Sequence, residues 1–143
     1  MQHDFDLSLM LVTDRPLCQG RDLLDIVAQA VQGGVTAVQL REKHLQTREF
    51  VQLGRELKKR LQPKRIPLFI NDRLDVALAV GADGLHVGQE DMHVSDVRAL
   101  AGLDMALGLS VNSRQEVLES NALPVDYLGA GPVFPTGTKE DAK

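Results

Sequence analysis

Six short apolar runs, at residues 9–12, 35–40, 66–70, 85–87, 105–109 and 127–130, alternate along the chain with stretches whose apolar residues recur at helical spacing. Runs such as Leu9-Met10-Leu11-Val12 are continuous rather than alternating, the pattern of a strand covered on both faces. Strands that alternate with helices across short loops lie parallel, because parallel neighbours need a crossover and the crossover is usually a helix. The class that follows is α/β, with a parallel sheet.

The helical stretches carry their own stop signals. Leu23, Ile26, Val27, Ala30 and Val31 form one apolar stripe, closed by Gly33-Gly34. Phe50, Leu53, Leu57 and Leu61 form a second, which ends before Pro63. A short helix is expected over 74–80, another through Val94, Val97 and Leu100, and a last one capped by Ser113 and running through Val117 and Leu118. Gly33-Gly34-Val35-Thr36-Ala37-Val38 resembles Gly81-Ala82-Asp83-Gly84-Leu85-His86, a weak internal repeat of a turn feeding a buried strand. The basic stretch Lys58, Lys59, Arg60, Lys64 and Arg65 reads as a solvated helix end.

With 143 residues and 43% hydrophobic content, the chain can bury one sizeable core, and residues 1–143 read as a single domain. A net charge of -4 lacks the basic surplus that nucleic acid would demand. Cys18 is alone, which fits a reducing compartment and excludes an intrachain disulfide. The N-terminus has acidic residues and no basic n-region, and no apolar run approaches the roughly 18 residues of a membrane span. A cytoplasmic location without membrane partners is the expectation.

In parallel α/β folds, ligands gather at the carboxyl ends of strands, and four polar clusters fall there. In Gln39-Leu40-Arg41-Glu42-Lys43, Gln39, Arg41 and Lys43 share one face while strand geometry continues. Two cations of different shape suit phosphate or diphosphate oxygens, although both also suit pairing with Glu42 or other barrel carboxylates. Asn71-Asp72 follows the third strand, where Asp72 suits either a helix cap or a metal. Asp91, after the fourth strand, brings a second carboxylate with which Asp72 can converge on a magnesium ion, water and phosphate completing its octahedron. Glu90 reads as outward-facing and His86 as a satisfied core histidine. The fourth cluster combines Gly108-Leu109-Ser110 with the stretch from Gly131 to Lys139, which suits an anion-binding loop or a plain turn.

Taken together, these motifs resemble the thiamine phosphate synthase family, also called thiamine-phosphate pyrophosphorylase, over nearly the entire chain. The resemblance rests on Leu11-Val12-Thr13-Asp14, Val38-Gln39-Leu40-Arg41-Glu42-Lys43, Ile70-Asn71-Asp72-Arg73, the stretch from Gly81 to Asp91, and the stretch from Gly129 to Lys139. It implies a TIM (β/α) barrel and a transferase that joins hydroxymethylpyrimidine diphosphate to hydroxyethylthiazole phosphate, giving thiamine phosphate and diphosphate. It also implies Mg2+ at Asp72 and Asp91, and diphosphate and pyrimidine contacts from Gln39, Arg41, Lys43, Asn71 and Lys139. Ser110, Thr136 and Thr138 are implied around the pyrimidine and the thiazole phosphate, and Arg41, Lys43, Ser110 and Lys139 as the residues of the catalytic step. The family chemistry is dissociative, with catalysis chiefly by leaving-group stabilisation.

A related thiazole tautomerase looks to employ a histidine where this chain has Asn112, and asparagine cannot perform acid–base work near neutral pH. A closed barrel needs eight strands, whereas about six βα units are read here. That leaves three expectations: a fragment of a longer chain, a barrel completed by a partner such as a second copy, or a compact open sheet. A module that keeps only magnesium-diphosphate binding is the non-catalytic alternative.

Overall fold

The computed structural model describes residues 4–135. Thr136, Thr138 and Lys139 therefore lie outside the described residues.

Six parallel strands form one curled sheet in sequential order: β1 (Met10–Val12), β2 (Ala37–Leu40), β3 (Leu68–Asn71), β4 (Gly84–Val87), β5 (Ala106–Val111) and β6 (Tyr127–Ala130). Between them run α1 (Leu23–Gln32), α2 (Thr47–Leu61), α3 (Leu74–Val80), α4 (Val94–Ala101) and α5 (Arg114–Ser120). The sheet is a partial TIM barrel, and every strand and helix expected from the sequence is present. Among the described residues, β1 and β6 each have one sheet neighbour. No helix there is long and apolar enough to cross a membrane.

Strand bounds move for local reasons. Val35 and Thr36 fall before β2 because both backbone N–H groups are used in the turn, by Ala30 and Leu9 respectively. Pro67 lends the ladder a carbonyl, accepting from Val38 N–H at 3.0 Å, but has no N–H to donate. At the other end, β5 runs on to pair Ser110 with Gly129 and Val111 with Ala130.

Period-two geometry divides each strand between two faces. Val38, Leu40, Leu68, Ile70, Leu85, Val87, Leu107 and Leu109 point outward into the main core, where they meet Val27, Phe50, Leu57 and Val97 from the helices. Full burial of such side chains contributes about 1.5–3 kcal/mol each. Ala37, Phe69 and Ala106 form a second cluster with Phe5, Leu7, Met10 and Tyr127 on the inner face. Phe5, Phe69 and Tyr127 meet edge to face, with centroids 5.9 and 5.7 Å apart. Glycine makes this possible: a Cβ at Gly84 would collide with the Phe69 ring, and one at Gly108 with the Tyr127 ring.

The foot of every second strand carries the same device. Thr36, Asp83 and Asp126 immediately precede β2, β4 and β6. Each gives its backbone N–H to the carbonyl of a residue at the start of the preceding strand, Leu9, Leu68 and Leu107, at 2.9, 2.9 and 2.7 Å. Each side chain then accepts the N–H of that same residue, at 3.0, 2.8 and 2.7 Å. The internal repeat is thus real but offset by one from the sequence reading: Thr36 corresponds to Asp83, and Gly34 to Gly81. Both glycines have positive φ, 105° and 69°. The same device corrects the reading of Lys58 as merely solvated, since its Nζ donates to Asp83 Oδ1 at 2.5 Å.

Candidate active site

The carboxyl ends of β1 to β5 bring the polar clusters into one neighbourhood. β1 is followed by Thr13, which is buried and donates its N–H to Gln39 O at 2.9 Å. Its hydroxyl accepts the Arg41 N–H at 3.0 Å. The chain leaving β2 is therefore fastened to the end of β1, and the guanidinium of Arg41 lies 3.8 Å from Asp14 Oδ2.

Gln39 points to the inner face and is buried. Its Nε2 donates weakly to Met10 Sδ at 3.5 Å, and its Oε1 is buried with no hydrogen-bond partner among the described residues. An unmatched buried amide oxygen costs about 1–3 kcal/mol, a cost that a donor on a ligand would remove.

Because β2 ends at Leu40, the shared face expected for Gln39, Arg41 and Lys43 does not continue beyond it. The alternative pairing with Glu42 is not realised either, since Glu42 binds Arg15 at 2.6 Å. Other barrel carboxylates take the two cations: Arg41 leans toward Asp14, and Lys43 Nζ donates to Asp72 Oδ2 at 2.6 Å.

Asp72 does not cap α3, whose N-cap is Arg73 without a side-chain capping bond. It sits instead in a three-residue turn, with φ 64° and Arg73 N–H reaching back to Asn71 O at 2.8 Å. Turns of this hand are rare and strained, and such strain concentrates at functional sites. The Asp72 N–H is held by His86 O at 2.8 Å, so the turn is anchored to β4. Asn71, at the end of β3, is buried on the inner face beside His86.

After β4, Gly88 N–H donates to Asp91 Oδ2 at 2.7 Å, folding the loop so that Asp91 returns toward Asp72. Burial pushes the Asp91 carboxyl above the usual aspartate range, against the Gly88 hydrogen bond. The charge and hydrogen bond of Asp72 push it further in the same direction, and Lys43 pulls it down. Two carboxylates in contact, partly neutralised by an ammonium, form a cation-seeking arrangement. Among the described residues, no three His, Cys, Asp or Glu side chains gather as a metal cluster. A pair of hard oxygen donors nevertheless fits magnesium, which keeps several waters and takes one or two carboxylates plus phosphate oxygens.

The sequence reading of His86 as a satisfied core histidine holds for its burial and its hydrogen bonds, yet misses its place. His86 faces inward, with Nε2 2.8 Å from Ser110 Oγ and Nδ1 3.0 Å from Tyr127 OH. Room for the ring comes from Gly129, where a Cβ would lie 2.9 Å from His86 Cε1. Gln89 Nε2 closes the arrangement by donating to Ser110 O at 2.7 Å. The parity of β4 was the available signal, since His86 shares the inward face with Gly84. Ser113 caps α5 as expected, accepting from Glu116 N–H at 3.2 Å, while Glu116 accepts the N–H of Asn112 at 2.6 Å.

Comparison with known proteins gives the family. The sequence model of the family described as thiamine monophosphate synthase matches residues 9–143. The chain belongs to the thiamine monophosphate synthase family. It is similar to the thiamine-phosphate synthase of Solidesulfovibrio magneticus, with 58% identity over 99% of this chain and 67% of that protein. The thiamine-phosphate synthase of Syntrophomonas wolfei is 54% identical over 96% of the chain and 66% of its own length. Among solved structures, a thiamine phosphate pyrophosphorylase from Pyrococcus furiosus superposes with a TM-score of 0.85 and 41% identity. That match covers 92% of this chain and 63% of the other. The chain thus spans about two thirds of the length of the thiamine monophosphate synthase family members it matches.

Proposed function

We propose that this site condenses hydroxymethylpyrimidine diphosphate with hydroxyethylthiazole phosphate, releasing diphosphate and forming thiamine phosphate. The observation that carries the reading is the contact between Asp72 and Asp91 with Lys43 on Asp72, in a chain of this family. Magnesium held by Asp72 and Asp91 would neutralise charge on the departing diphosphate.

The remaining work falls to the chain's own residues. Lys43 and Arg41 stand on either side of the β2 terminus and gain interaction as charge accumulates on the leaving group, which favours the transition state over bound substrate. Gln39 Oε1, buried without a partner, supplies an acceptor for an amino group on the pyrimidine. Asn71 and Ser110 line the same inner face. Thr136 and Thr138 take the roles implied by the resemblance, around the pyrimidine and the thiazole phosphate, and Lys139 its implied role at the diphosphate and pyrimidine.

The test is turnover of the purified chain with both substrates and magnesium, with and without a chelator. Chelator-sensitive thiamine phosphate supports the reading. Folded protein that binds neither the pyrimidine diphosphate nor magnesium would overturn it. A second reading has its own support, because the residues that the resemblance implies for magnesium, diphosphate and pyrimidine, Gln39, Arg41, Lys43, Asn71, Asp72 and Asp91, gather at the carboxyl ends of β2 to β4: a module that binds this substrate without turning it over. Calorimetry showing magnesium-dependent binding with no product would favour that module.

A further inference from the structure

We propose that Tyr127 and His86 are positioning residues that fix the direction of a three-member hydrogen-bond chain and so make Ser110 a donor toward the bound ligand. The ligand clause rests on the function proposed above; the direction of the chain does not.

The geometry places His86 between two hydroxyls. Tyr127 OH is 3.0 Å from Nδ1, and Ser110 Oγ is 2.8 Å from Nε2. A neutral imidazole carries one donor nitrogen and one acceptor nitrogen, so the two bonds have opposite directions. Either Tyr127 donates and Ser110 accepts, or Ser110 donates and Tyr127 accepts. In both cases a hydroxyl proton lies toward the ring at one end of the chain, while at the other end a hydroxyl proton points away.

The surroundings decide between the two. Tyr127 is packed edge-on against Phe69, with centroids 5.7 Å apart, over the space left by Gly108, and its hydroxyl has no other hydrogen-bond partner among the described residues. Tyr127 is half-buried, and if it accepted from Nδ1–H its own proton would find no acceptor among the described residues, a loss of about 1–3 kcal/mol where water is excluded. Ser110 lies toward the open carboxyl end of the sheet, where a ligand acceptor can take its proton. Desolvation also raises the Tyr127 pKa, so the phenol keeps the proton it donates.

Tyr127 O–H therefore donates to Nδ1, His86 is the Nε2–H tautomer, and Nε2–H donates to Ser110 Oγ. With a lone pair of Ser110 occupied in this way, its hydroxyl proton is directed away from His86. It meets an acceptor on the ligand, a ring nitrogen or a phosphate oxygen.

The experiment is 15N NMR of the full chain with labelled histidine, together with Tyr127→Phe, which keeps the ring and removes only the hydroxyl. A protonated Nε2 and an unprotonated Nδ1 are expected for His86 in the wild type, moving toward a mixture of tautomers in Tyr127→Phe at unchanged circular dichroism. A proton on Nδ1, a doubly protonated ring, or a tautomer that ignores Tyr127→Phe overturns the proposal. Binding of the pyrimidine diphosphate with magnesium supplies the second readout. Tyr127→Phe should weaken it about 3- to 10-fold, and Ser110→Ala should abolish the difference, so that the double variant binds no worse than Ser110→Ala alone. Full additivity of the two losses would show that Tyr127 does not act through Ser110. A wild type that binds no ligand would remove the proposed function, while the NMR result would still decide the direction of the chain.

Discussion

Asp126 does at the foot of β6 what Asp83 does at the foot of β4: each carboxylate accepts the N–H of a leucine on the strand before, Leu107 at 2.7 Å and Leu68 at 2.8 Å. Each is also clamped by a cation from the second helix before it. Arg98 of α4 reaches Asp126 at 2.8 Å, and Lys58 of α2 reaches Asp83 at 2.5 Å. Arg98 further donates to the carbonyls of Pro124, Gly102 and Met105, which ties the loop before β5 and the loop before β6 to one guanidinium. Replacing Asp83 or Asp126 by alanine leaves a strand N–H and a cation without their acceptor. A loss of about 1–3 kcal/mol is expected for each, read as a lower urea midpoint at unchanged slope.

The inner-face glycines set a second expectation. Gly84→Ala drives a methyl group into the Phe69 ring and to 3.0 Å from Ala106 O, a backbone atom that cannot step aside. Overpacking of this kind costs about 1–3 kcal/mol. Gly88→Ala would meet only the Asp91 carboxylate, at 3.2 Å. Calorimetric melting should rank Gly84→Ala well below Gly88→Ala, and equal melting temperatures would contradict the packing described for the inner face.

Lys43 bears on metal binding in the opposite sense to its role with diphosphate. Its ammonium occupies Asp72 Oδ2 at 2.6 Å, so magnesium alone competes with it. The pair is partly exposed, with side chains at 39% and 22%, and such pairs contribute little. Lys43→Met should therefore tighten magnesium binding in the absence of diphosphate by about two- to fivefold, and weaken binding of the pyrimidine diphosphate. Titration calorimetry with each ligand separates the two effects. Weaker binding of both would remove Lys43 from competition with the metal.

Asp91 gives a pH dependence whose sign follows from its environment. Its folded pKa lies above the ordinary 3.8, chiefly through burial and then through Asp72, opposed by the Gly88 N–H and Lys43. A carboxyl raised in this way contributes stability that is present while it is protonated, below its unfolded pKa, and is lost as pH rises through the folded value. In chelator, Asp91→Asn should flatten the fall in stability just above pH 3.8 and be at least as stable as the wild type at neutral pH. Magnesium should stabilise the wild type more than Asp91→Asn, by thermal melting at pH 7.

Much of this was legible in the sequence because each signal was local. Continuous apolar runs marked the strands, and Ser113 marked the start of α5. The carboxylates Asp72 and Asp91 were legible as partners because both follow strands that are neighbours in a parallel sheet. What escaped depended on contacts distant along the chain. His86 finds Ser110 across 24 residues and Tyr127 across 41, and only the closed register of β4, β5 and β6 brings them together. The positive φ of Asp72 has no composition signal, since aspartate, though enriched among non-glycine residues there, adopts such a backbone only in a minority of cases. The repeat was misaligned by one residue because Gly33-Gly34 offers two alignments with Gly81, and only Gly34 shares its left-handed backbone.

The three anchors Thr36, Asp83 and Asp126 have a geometric sequel at the opposite rim. Three residues beyond each anchor, along strands rising about 3.3 Å per residue, stand Gln39, His86 and Gly129. A slip of one residue at Thr36 or Asp83 would turn Gln39 or His86 from the inner face to the helical layer, and one at Asp126 would take Gly129 from beside the His86 ring. The hydrogen bonds at the foot of the sheet thus serve as a levelling datum for the pocket roughly 10 Å above them. Substitutions far from any substrate atom would be felt there as a change of height, although no residue of the pocket itself is replaced.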